Sequence, residues 1–398
     1  MADKALSLAS GYIVKAVNRL KRAQPNEIFP LIKNGVSRLL VEMRSGQSIQ
    51  IIPLLQDYLA RANPGQEAPT ISRFMPCTTG WENETYSFTL ARGPAKQRKT
   101  EEFMLCIYPG SFAHKRANSE YQALTRLYQA GYPVPMVKHY EQDGDPLSHF
   151  RPFMVTECVQ GHRMGKALTD STGVEREKLL SVFCGLLARL HSFDWRMMTD
   201  DPSYYLAYHS RNTIDLSLAE SQADVQCMIQ PGLQPGWQWI LDHGHEITSP
   251  GLSFVHFDFH PNNIILREHV DPASGGAVVI DWTGASITDY RFDLAWTLLL
   301  VCSYIDGKLR DPIIKEYERQ SGRRVEDIEF FEAVACFSRL LRLCCLITQK
   351  SEQSGYRAGT EKQILGQAPI IKHTYERFLQ FTGCRIPEVE EFLNSVKA

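Results

Sequence analysis

One stretch near the middle of the chain constrains its fold more than any other. Residues 254–266 read Phe-Val-His-Phe-Asp-Phe-His-Pro-Asn-Asn-Ile-Ile-Leu, and residues 277–280 form a second apolar run that is followed by Asp281. Apolar residues on both sides of a short polar segment indicate strands that hold a loop between them. The fold is therefore expected to fix this loop and to bring Asp281 close to it.

The spacing of the polar residues in this loop indicates phosphoryl-transfer chemistry. Asp258 lies two residues after His256, and Asn263 lies five residues after Asp258, as in the pattern H-x-D-x-x-x-x-N followed by a metal-binding Asp. We predict that Asp258 receives the proton of an attacking hydroxyl and that Asn263 and Asp281 bind Mg²⁺ on a nucleotide. The alternative is that the three side chains only form turns and caps around a β-hairpin.

Two further residues are expected to hold the loop in place rather than to react. His256 is predicted to hydrogen-bond the backbone near the loop, because no chemical role for it follows from its position. Asp293 opens an apolar helix, and we interpret it as a buried acceptor that fixes the backbone of the loop. The alternative for Asp293 is a charge at a helix N-terminus. His260 stays open between packing within the loop and a contact to substrate.

The period of the apolar residues divides the chain into three regions. Residues 1–68 contain three amphipathic helical runs and end in a turn, which indicates a helical extension that packs on the rest of the chain or forms a dimer. Residues 69–160 alternate as strands do, around one helix at residues 113–130. Residues 161–398 are mostly helical and carry the loop. We therefore predict an α+β chain with a small antiparallel-sheet lobe, a hinge and a larger α-rich lobe.

Composition excludes several classes of function. The 398 residues carry a formal net charge of −2, and no basic and aromatic stripe indicates nucleic-acid binding. No apolar run approaches the roughly 20 residues that span a bilayer, so no membrane partner is expected. The ten cysteines occur without C-x-x-C pairs, which is typical of reduced thiols in a cytoplasmic protein.

The loop and its surroundings resemble the aminoglycoside phosphotransferase and choline kinase-like family. The resemblance covers about residues 70–345 and is strongest at residues 255–263, at Val-Ile-Asp-Trp of residues 279–282 and at Asp-Leu-Ala of residues 293–295. It implies a bilobal protein-kinase-like fold. It also implies that ATP and Mg²⁺ serve as cofactors and that a hydroxyl of a small molecule accepts the phosphoryl group.

The same resemblance implies a set of nucleotide-binding residues in the small lobe. The segment from Glu157 to Val159, at the end of a predicted strand, would form the hinge that meets the adenine edge. Thr79, Gly80 and Asn83 belong to a short polar turn that looks like the nucleotide-binding loop of the family. Such a turn can present backbone N–H groups to a phosphate.

One position departs from the family pattern. Members of the family usually have Lys or Arg where this chain has Cys106, and that cation pairs with a helix glutamate that would here be Glu120. A thiol cannot supply the charge, although Lys115 or Arg116 on the same helix as Glu120 could reach the site instead. Two functions therefore stay open, an active small-molecule kinase and a pseudokinase that binds a nucleotide or metabolite.

The resemblance also implies that the acceptor of the phosphoryl group binds to the variable helices of the large lobe, here at residues 195–250 and 305–398. Acidic residues in the first of these segments would suit a polycationic aminoglycoside. A solvated surface would have the same composition, so the sequence leaves the acceptor unidentified. A homodimer through the helices of residues 1–68 is a further possible partner interaction.

Overall fold

The computed structural model describes residues 51–64, 68–77, 83–93, 99–110, 112–145, 147, 151–209, 229–272, 275–347 and 366–396. The two helices predicted within residues 1–50, and with them most of the proposed dimerisation surface, lie outside the described residues. Thr79 and Gly80 also lie outside them.

A five-stranded antiparallel sheet forms the smaller lobe. Its strands in chain order are β1 (Thr70–Cys77), β2 (Glu84–Arg92), β3 (Lys99–Ile107), β4 (Val137–Glu141) and β5 (Phe153–Glu157), and they are arranged β1-β2-β3-β5-β4. Phe103, Leu105 and Ile107 of β3 are buried, because alternate residues of a strand share one face. This period of two is the pattern from which the sheet was predicted.

Two helices accompany this sheet, one at residues 51–62 (α1) and one at Ala113–Gln129 (α2). Leu55, Tyr58 and Leu59 of α1 are buried in one cluster with Phe88 of the sheet. The ring of Tyr58 meets the ring of Phe153 edge to face at 4.9 Å. Helix α1 therefore packs on the sheet, while the domain boundary at residue 68 stays a prediction.

The larger lobe consists mainly of helices. These are α3 (Met164–Asp170), α4 (Gly173–Ser192), α5 (Pro202–His209), α6 (Gln234–Gly244), α7 (Tyr290–Tyr304), α8 (Arg310–Ser321), α9 (Ile328–Ile347), α10 (Ala368–Thr382) and α11 (Pro387–Ser395). Short 3₁₀ helices occur at Trp195–Met198, Pro231–Leu233, Pro261–Asn263 and Gly307–Leu309. The predicted α+β architecture of a small sheet lobe and a larger helical lobe is confirmed.

Two small antiparallel sheets in the larger lobe hold the polar loop. Strand β8 (Ile264–Leu266) pairs with both β6 (His162–Arg163) and β9 (Ala277–Val279), and β7 (Ser253–Val255) pairs with β10 (Ser286–Thr288). The loop therefore leaves the end of β7 and enters β8, and residue 281 follows β9 after one intervening residue. These pairings bring the two polar segments of the sequence to the same end of the two sheets.

The ends of several helices follow from local residue chemistry. Gly322 and Gly383 follow α8 and α10 with φ of 67°, a left-handed conformation that favours glycine. Pro387 is the first residue of α11, where a missing N–H costs nothing. Asp289 caps α7 by accepting the backbone N–H of Arg291 at 2.9 Å. This cap fixes the start of the helix that carries Asp293.

Candidate active site

The side chain of Asp258 is held by three neighbours. Asn263 donates its Nδ2 to the backbone oxygen and to Oδ2 of Asp258, each at 3.0 Å. Trp296 donates its Nε1 to Oδ1 of Asp258 at 3.4 Å, and Nε2 of His260 lies 3.5 Å from Oδ2. These contacts fix the direction of a half-buried carboxylate that lines a cleft of about 1270 Å³.

The protonation of Asp258 follows from these neighbours. Burial opposes ionisation, but the hydrogen bond and charge of the His260 imidazole outweigh it, helped by His256 and Trp296, and the pKa of Asp258 is lowered to about 2. The carboxylate is therefore ionised at neutral pH. Such a group is a weak base, so it can orient a hydroxyl and accept its proton only as that proton becomes acidic during the reaction.

Asn263 and Asp281 are joined through the backbone and both line the cleft. The N–H of Ile280 donates to the backbone oxygen of Asn263 at 2.9 Å, and Oδ1 of Asp281 accepts the hydroxyl of Thr283 at 2.9 Å. Because the amide nitrogen of Asn263 binds Asp258, its side-chain oxygen is the atom that can bind a cation. One amide oxygen and one carboxylate suit Mg²⁺, which takes its remaining ligands from phosphates and water. Within the described ranges, no three His, Cys, Asp or Glu side chains are placed to hold a metal by themselves.

Two residues near these side chains adopt backbone conformations that are unusual for non-glycine residues. Phe257 has a φ of 59° and Asp281 a φ of 67°, both in the left-handed region. Each conformation costs free energy unless the surrounding structure enforces it, and such residues cluster at functional sites. The positive φ values therefore mark both segments that the sequence identified.

Asp293 lies directly beneath the loop. Its carboxylate accepts the N–H groups of His256 at 2.8 Å and Phe257 at 2.9 Å, and its side chain is fully buried. His191 adds a third contact, since its Nε2 lies 3.1 Å from Asp293 and its Nδ1 lies 2.9 Å from the hydroxyl of Tyr317. These are the contacts expected of an acceptor that fixes the loop backbone, and the role stays a prediction.

His256 connects the two polar segments. Its Nδ1 accepts the N–H of Asp258 at 3.2 Å, so Nε2 carries the proton that is donated to the oxygen of Ile280 at 3.1 Å. The ring also lies 4.4 Å from the ring of Trp282, centre to centre. His256 thus forms the backbone hydrogen bonds predicted for it.

The wall of the cleft opposite Asp258 contains Cys106 and Glu120. Glu120 accepts the hydroxyl of Tyr108 at 2.6 Å and the N–H of Trp282 at 3.2 Å. Burial and the nearby Asp281 raise the pKa of Glu120 to about 7. Burial and the charge of Glu120 raise the pKa of the Cys106 thiol well above its usual value, so the thiol stays neutral. The partner of the glutamate is therefore a phenol and not a cation.

Neither of the two proposed substitute cations is among the described residues that line the cleft. Nη2 of Arg116 donates to the backbone oxygen of Pro109 at 2.6 Å, and Lys115 is exposed. Arg116 lowers the pKa of Glu120, but burial, Asp281 and the hydrogen bonds from Tyr108 and Trp282 all have larger effects on that pKa. The sequence analysis missed Tyr108. Its position two residues after Cys106, where alternate residues of an extended chain share one face, was the available signal.

The predicted hinge lies between the lobes and lines the cleft through Glu157, Cys158 and Val159. Cys158 donates its N–H to the oxygen of Glu102 at 3.1 Å. The side chain of Glu157 forms an ion pair of 2.8 Å with Arg267, which follows β8. This ion pair links the end of the small sheet to the strand that follows the polar loop.

Asn83 also lines the cleft, at the start of β2. Its Oδ1 is buried and has no hydrogen-bond partner within the described part of the chain. A buried polar atom without a partner is costly, so a ligand that supplies a donor would be stabilised there. Thr79 and Gly80, the other predicted members of this turn, lie outside the described residues.

A comparison with family models decides what this cleft belongs to. The model of the phosphotransferase enzyme family matches residues 73–328, which include Cys106, Glu120, Asp258, Asn263 and Asp281 of the cleft. The chain belongs to the phosphotransferase enzyme family. The family resemblance inferred from the polar loop is thus confirmed.

Two solved structures share the fold of this chain. A candidate aminoglycoside phosphotransferase from Ralstonia eutropha has a TM-score of 0.58 at 15% identity, over 83% of this chain and 98% of that one. The GDP complex of aminoglycoside 2'-phosphotransferase-IIIa has a TM-score of 0.51 at 13% identity, over 84% and 98%. At such identities the likeness establishes the fold alone, which is bilobal and protein-kinase-like.

Among curated proteins, the mouse AarF domain-containing protein kinase 1 is 25% identical over 146 residues. That match spans 36% of this chain and about a quarter (23%) of the mouse protein. No described helix has both the length and the apolar character needed to cross a membrane.

Proposed function

We propose that the protein transfers the γ-phosphoryl group of ATP, in the presence of Mg²⁺, to a hydroxyl group of a small molecule. The observation that carries the proposal is the position of Asp258. Its ionised carboxylate is fixed by Asn263 and Trp296 in a cleft that Asp281 and the hinge also line. Membership of the phosphotransferase enzyme family supports the same reaction class.

Each part of the cleft has a task in this reaction. The hinge at Glu157–Val159 and the unpartnered oxygen of Asn83 would bind the nucleotide. Asn263 and Asp281 would hold Mg²⁺, which neutralises charge on the transferred phosphoryl group when it is bound. Asp258 would orient the acceptor hydroxyl in line with the phosphorus and accept its proton late in the transfer.

A pseudokinase is the second candidate, and one observation favours it. The neutral Cys106 stands where a cation would contact the phosphates, and Glu120 is hydrogen-bonded to Tyr108 instead. Loss of that cation would weaken binding of the nucleotide without changing Asp258. A chain that binds nucleotide or metabolite and transfers nothing would have the same wall.

Phosphate transfer from labelled ATP to a panel of aminoglycosides, choline, macrolides, sugars and amphiphilic alcohols tests the proposal. Asp258→Asn should abolish transfer, and its amide oxygen keeps one of the two side-chain hydrogen bonds that Asn263 and Trp296 donate to the carboxylate. Asp170→Asn, at an exposed site on α3, serves as the matched control. Phosphoryl transfer that persists in Asp258→Asn would contradict the role assigned to Asp258. Binding of ATP in calorimetry, without transfer to any acceptor, would favour the pseudokinase.

The same assays separate two nucleotides. We propose ATP as the donor, and competition between ATP and GTP in the transfer assay measures the preference.

A cytoplasmic location is proposed as well, supported by the free state of all cysteines in the described ranges. Fractionation of cells that express the chain, followed by detection of the protein in each fraction, tests this location.

A further inference from the structure

The cleft continues past Asp258 into a space between helices α7, α9 and α10, which we call the acceptor chamber. Its described wall is mostly apolar and includes Leu300, Val301, Ile305, Phe331, Leu343 and Ile371. Trp296 lies next to Asp258 on the same helix as Leu300 and Val301. A molecule in the chamber can therefore present a hydroxyl to Asp258 while its apolar body packs against the helices.

Two arginines of α9 supply the charge of the acceptor chamber. The guanidinium of Arg342 lies 5.6 Å from the ring centre of Trp296, so one indole ring separates it from Asp258. Arg339 donates to the hydroxyl of Tyr304 at 2.6 Å, and its guanidinium lies 5.1 Å from the centre of that ring. Within the described ranges neither arginine forms an ion pair with a carboxylate. Both can therefore offer N–H groups to an anion.

The carboxylates of the described cleft wall all lie at its nucleotide and metal end. They are Glu120, Glu157, Asp258 and Asp281. The acidic residues of the 195–250 segment that are described do not line the cleft. Asp200 is paired with Arg126. Asp242 accepts a hydrogen bond from Gln238 on its own helix. The described wall around Arg339 and Arg342 is therefore positive and apolar, which disfavours a polycationic aminoglycoside.

We infer that the acceptor is a largely apolar molecule with one reactive hydroxyl and an anionic group, a carboxylate or a phosphate, that binds Arg339 and Arg342. This inference rests on the proposed phosphotransferase function of the same cleft. The planar guanidinium binds both kinds of anion through paired N–H groups. The distance from the hydroxyl to the anionic group would span the ring of Trp296.

The reaction on such an acceptor balances without a further reactant. The hydroxyl oxygen forms a bond to the γ-phosphorus, and the bond from that phosphorus to the β–γ bridging oxygen breaks. The electron pair of the broken bond leaves with ADP, and the hydroxyl proton passes to Asp258. The products are ADP and a phosphate monoester that still carries its anionic group.

Binding and transfer are measured with matched probes on the full-length protein. The anionic probes are ω-hydroxydodecanoate, lithocholate and ω-hydroxydodecyl phosphate. The neutral probe is dodecanediol, and the cationic probe is the corresponding amino alcohol. Calorimetry without ATP should give at least one anionic probe a dissociation constant about tenfold or more below those of the neutral and cationic probes. The carboxylate and phosphate arms decide which anion is preferred.

Variants locate the anion-binding groups. Arg342→Gln and Arg339→Gln should each weaken binding of the preferred anion by about tenfold and leave binding of the diol within about twofold. Arg323→Gln is the matched control, because its guanidinium also lies over an aromatic ring, 5.7 Å from the centre of Tyr290, and is exposed away from the cleft. A loss that is equal for the anion and the diol would indicate a structural role of the arginines and would overturn the inference.

The inference about the acceptor chamber and the proposed phosphotransferase function can fail independently of each other. Anionic probes that bind preferentially but receive no phosphoryl group would support the inference about the chamber and contradict the phosphotransferase function. Transfer only to neutral or cationic acceptors would support that function and overturn the inference. Absence of binding by all three anionic probes would overturn it as well.

Discussion

Replacement of Glu120 by Gln should remove much of the pH dependence of stability between about pH 5 and pH 7. Glu120 is 8% exposed, and its pKa is raised from 4.5 to about 7 by burial and by the charge of Asp281. The folded protein therefore keeps a proton on this carboxyl group over a range in which the unfolded chain has released it. In the variant, the glutamine amide oxygen can accept the N–H of Trp282, and the amide NH₂ can donate to the hydroxyl oxygen of Tyr108, which in the wild type donates to the carboxylate.

The sign and size of the effect follow from proton linkage. Between the unfolded and the folded pKa, the native state binds more protons than the unfolded state, so the free energy of unfolding falls as pH rises. The contribution is fully present below about pH 4.5 and is lost as pH rises through about 7. A shift of this size corresponds to about 3 kcal/mol, because each pKa unit is worth about 1.4 kcal/mol.

Urea unfolding at a series of pH values, without metal or nucleotide, measures this contribution. Relative to wild type, the Gln variant should gain about 3 kcal/mol between about pH 5 and about pH 8. Glu177→Gln, at an exposed position of α4, should give a difference that does not change with pH. A constant difference between wild type and Glu120→Gln across this range would refute the reasoning.

Three further changes test the rest of the site. Cys106→Lys places an ammonium beside Glu120, so calorimetry should give a dissociation constant for Mg-ATP about tenfold lower; an unchanged constant would mean that another cation already contacts the phosphates. Asp293→Asn leaves one of the two loop N–H groups without an acceptor and the other with an uncharged one, so it should lower the free energy of unfolding by about 1–3 kcal/mol, measured in urea, with a lower kcat. Trp296→Phe removes the donor to Asp258, so the acid limb of the kcat profile should move to higher pH, and an unmoved limb would exclude that contact.

The lobes and the loop could be predicted because their signals are local. Alternation along β3 identifies a strand with one buried face, and this pattern does not depend on distant residues. The fixed spacing of His256, Asp258 and Asn263 likewise determines which side chains share one loop. The approach of Asp281 followed from the expected pairing of short strands, and the pairing of β8 with β9 produces it.

Other contacts of the site depend on packing that no local pattern encodes. The hydroxyl of Tyr108, which follows β3, reaches Glu120 on helix α2, and the N–H of Trp282 reaches the same carboxylate from the other lobe. The acceptor chamber could not be predicted from the sequence for a related reason. An apolar stripe on α7 or α9 predicts burial against a neighbouring helix, whether or not a cavity lies between the two helices. The acidic residues near Asp200 left the acceptor unidentified for the converse reason, since composition does not give the direction that a helix faces.

The replacement at Cys106 changes the function of the small-lobe wall more than its stability. A buried ion pair contributes little net stability, because desolvation of both charges offsets their attraction. Tyr108 gives Glu120 a neutral hydrogen bond instead, and the raised pKa of Glu120 keeps that part of the wall partly uncharged near neutral pH. Under the proposed phosphotransferase function, Cys106 supplies no positive charge for the phosphates, whereas Arg339 and Arg342 provide positive charge at the proposed acceptor end. In the proposed arrangement, the fixed carboxylate of Asp258 lies between Cys106 and these two arginines.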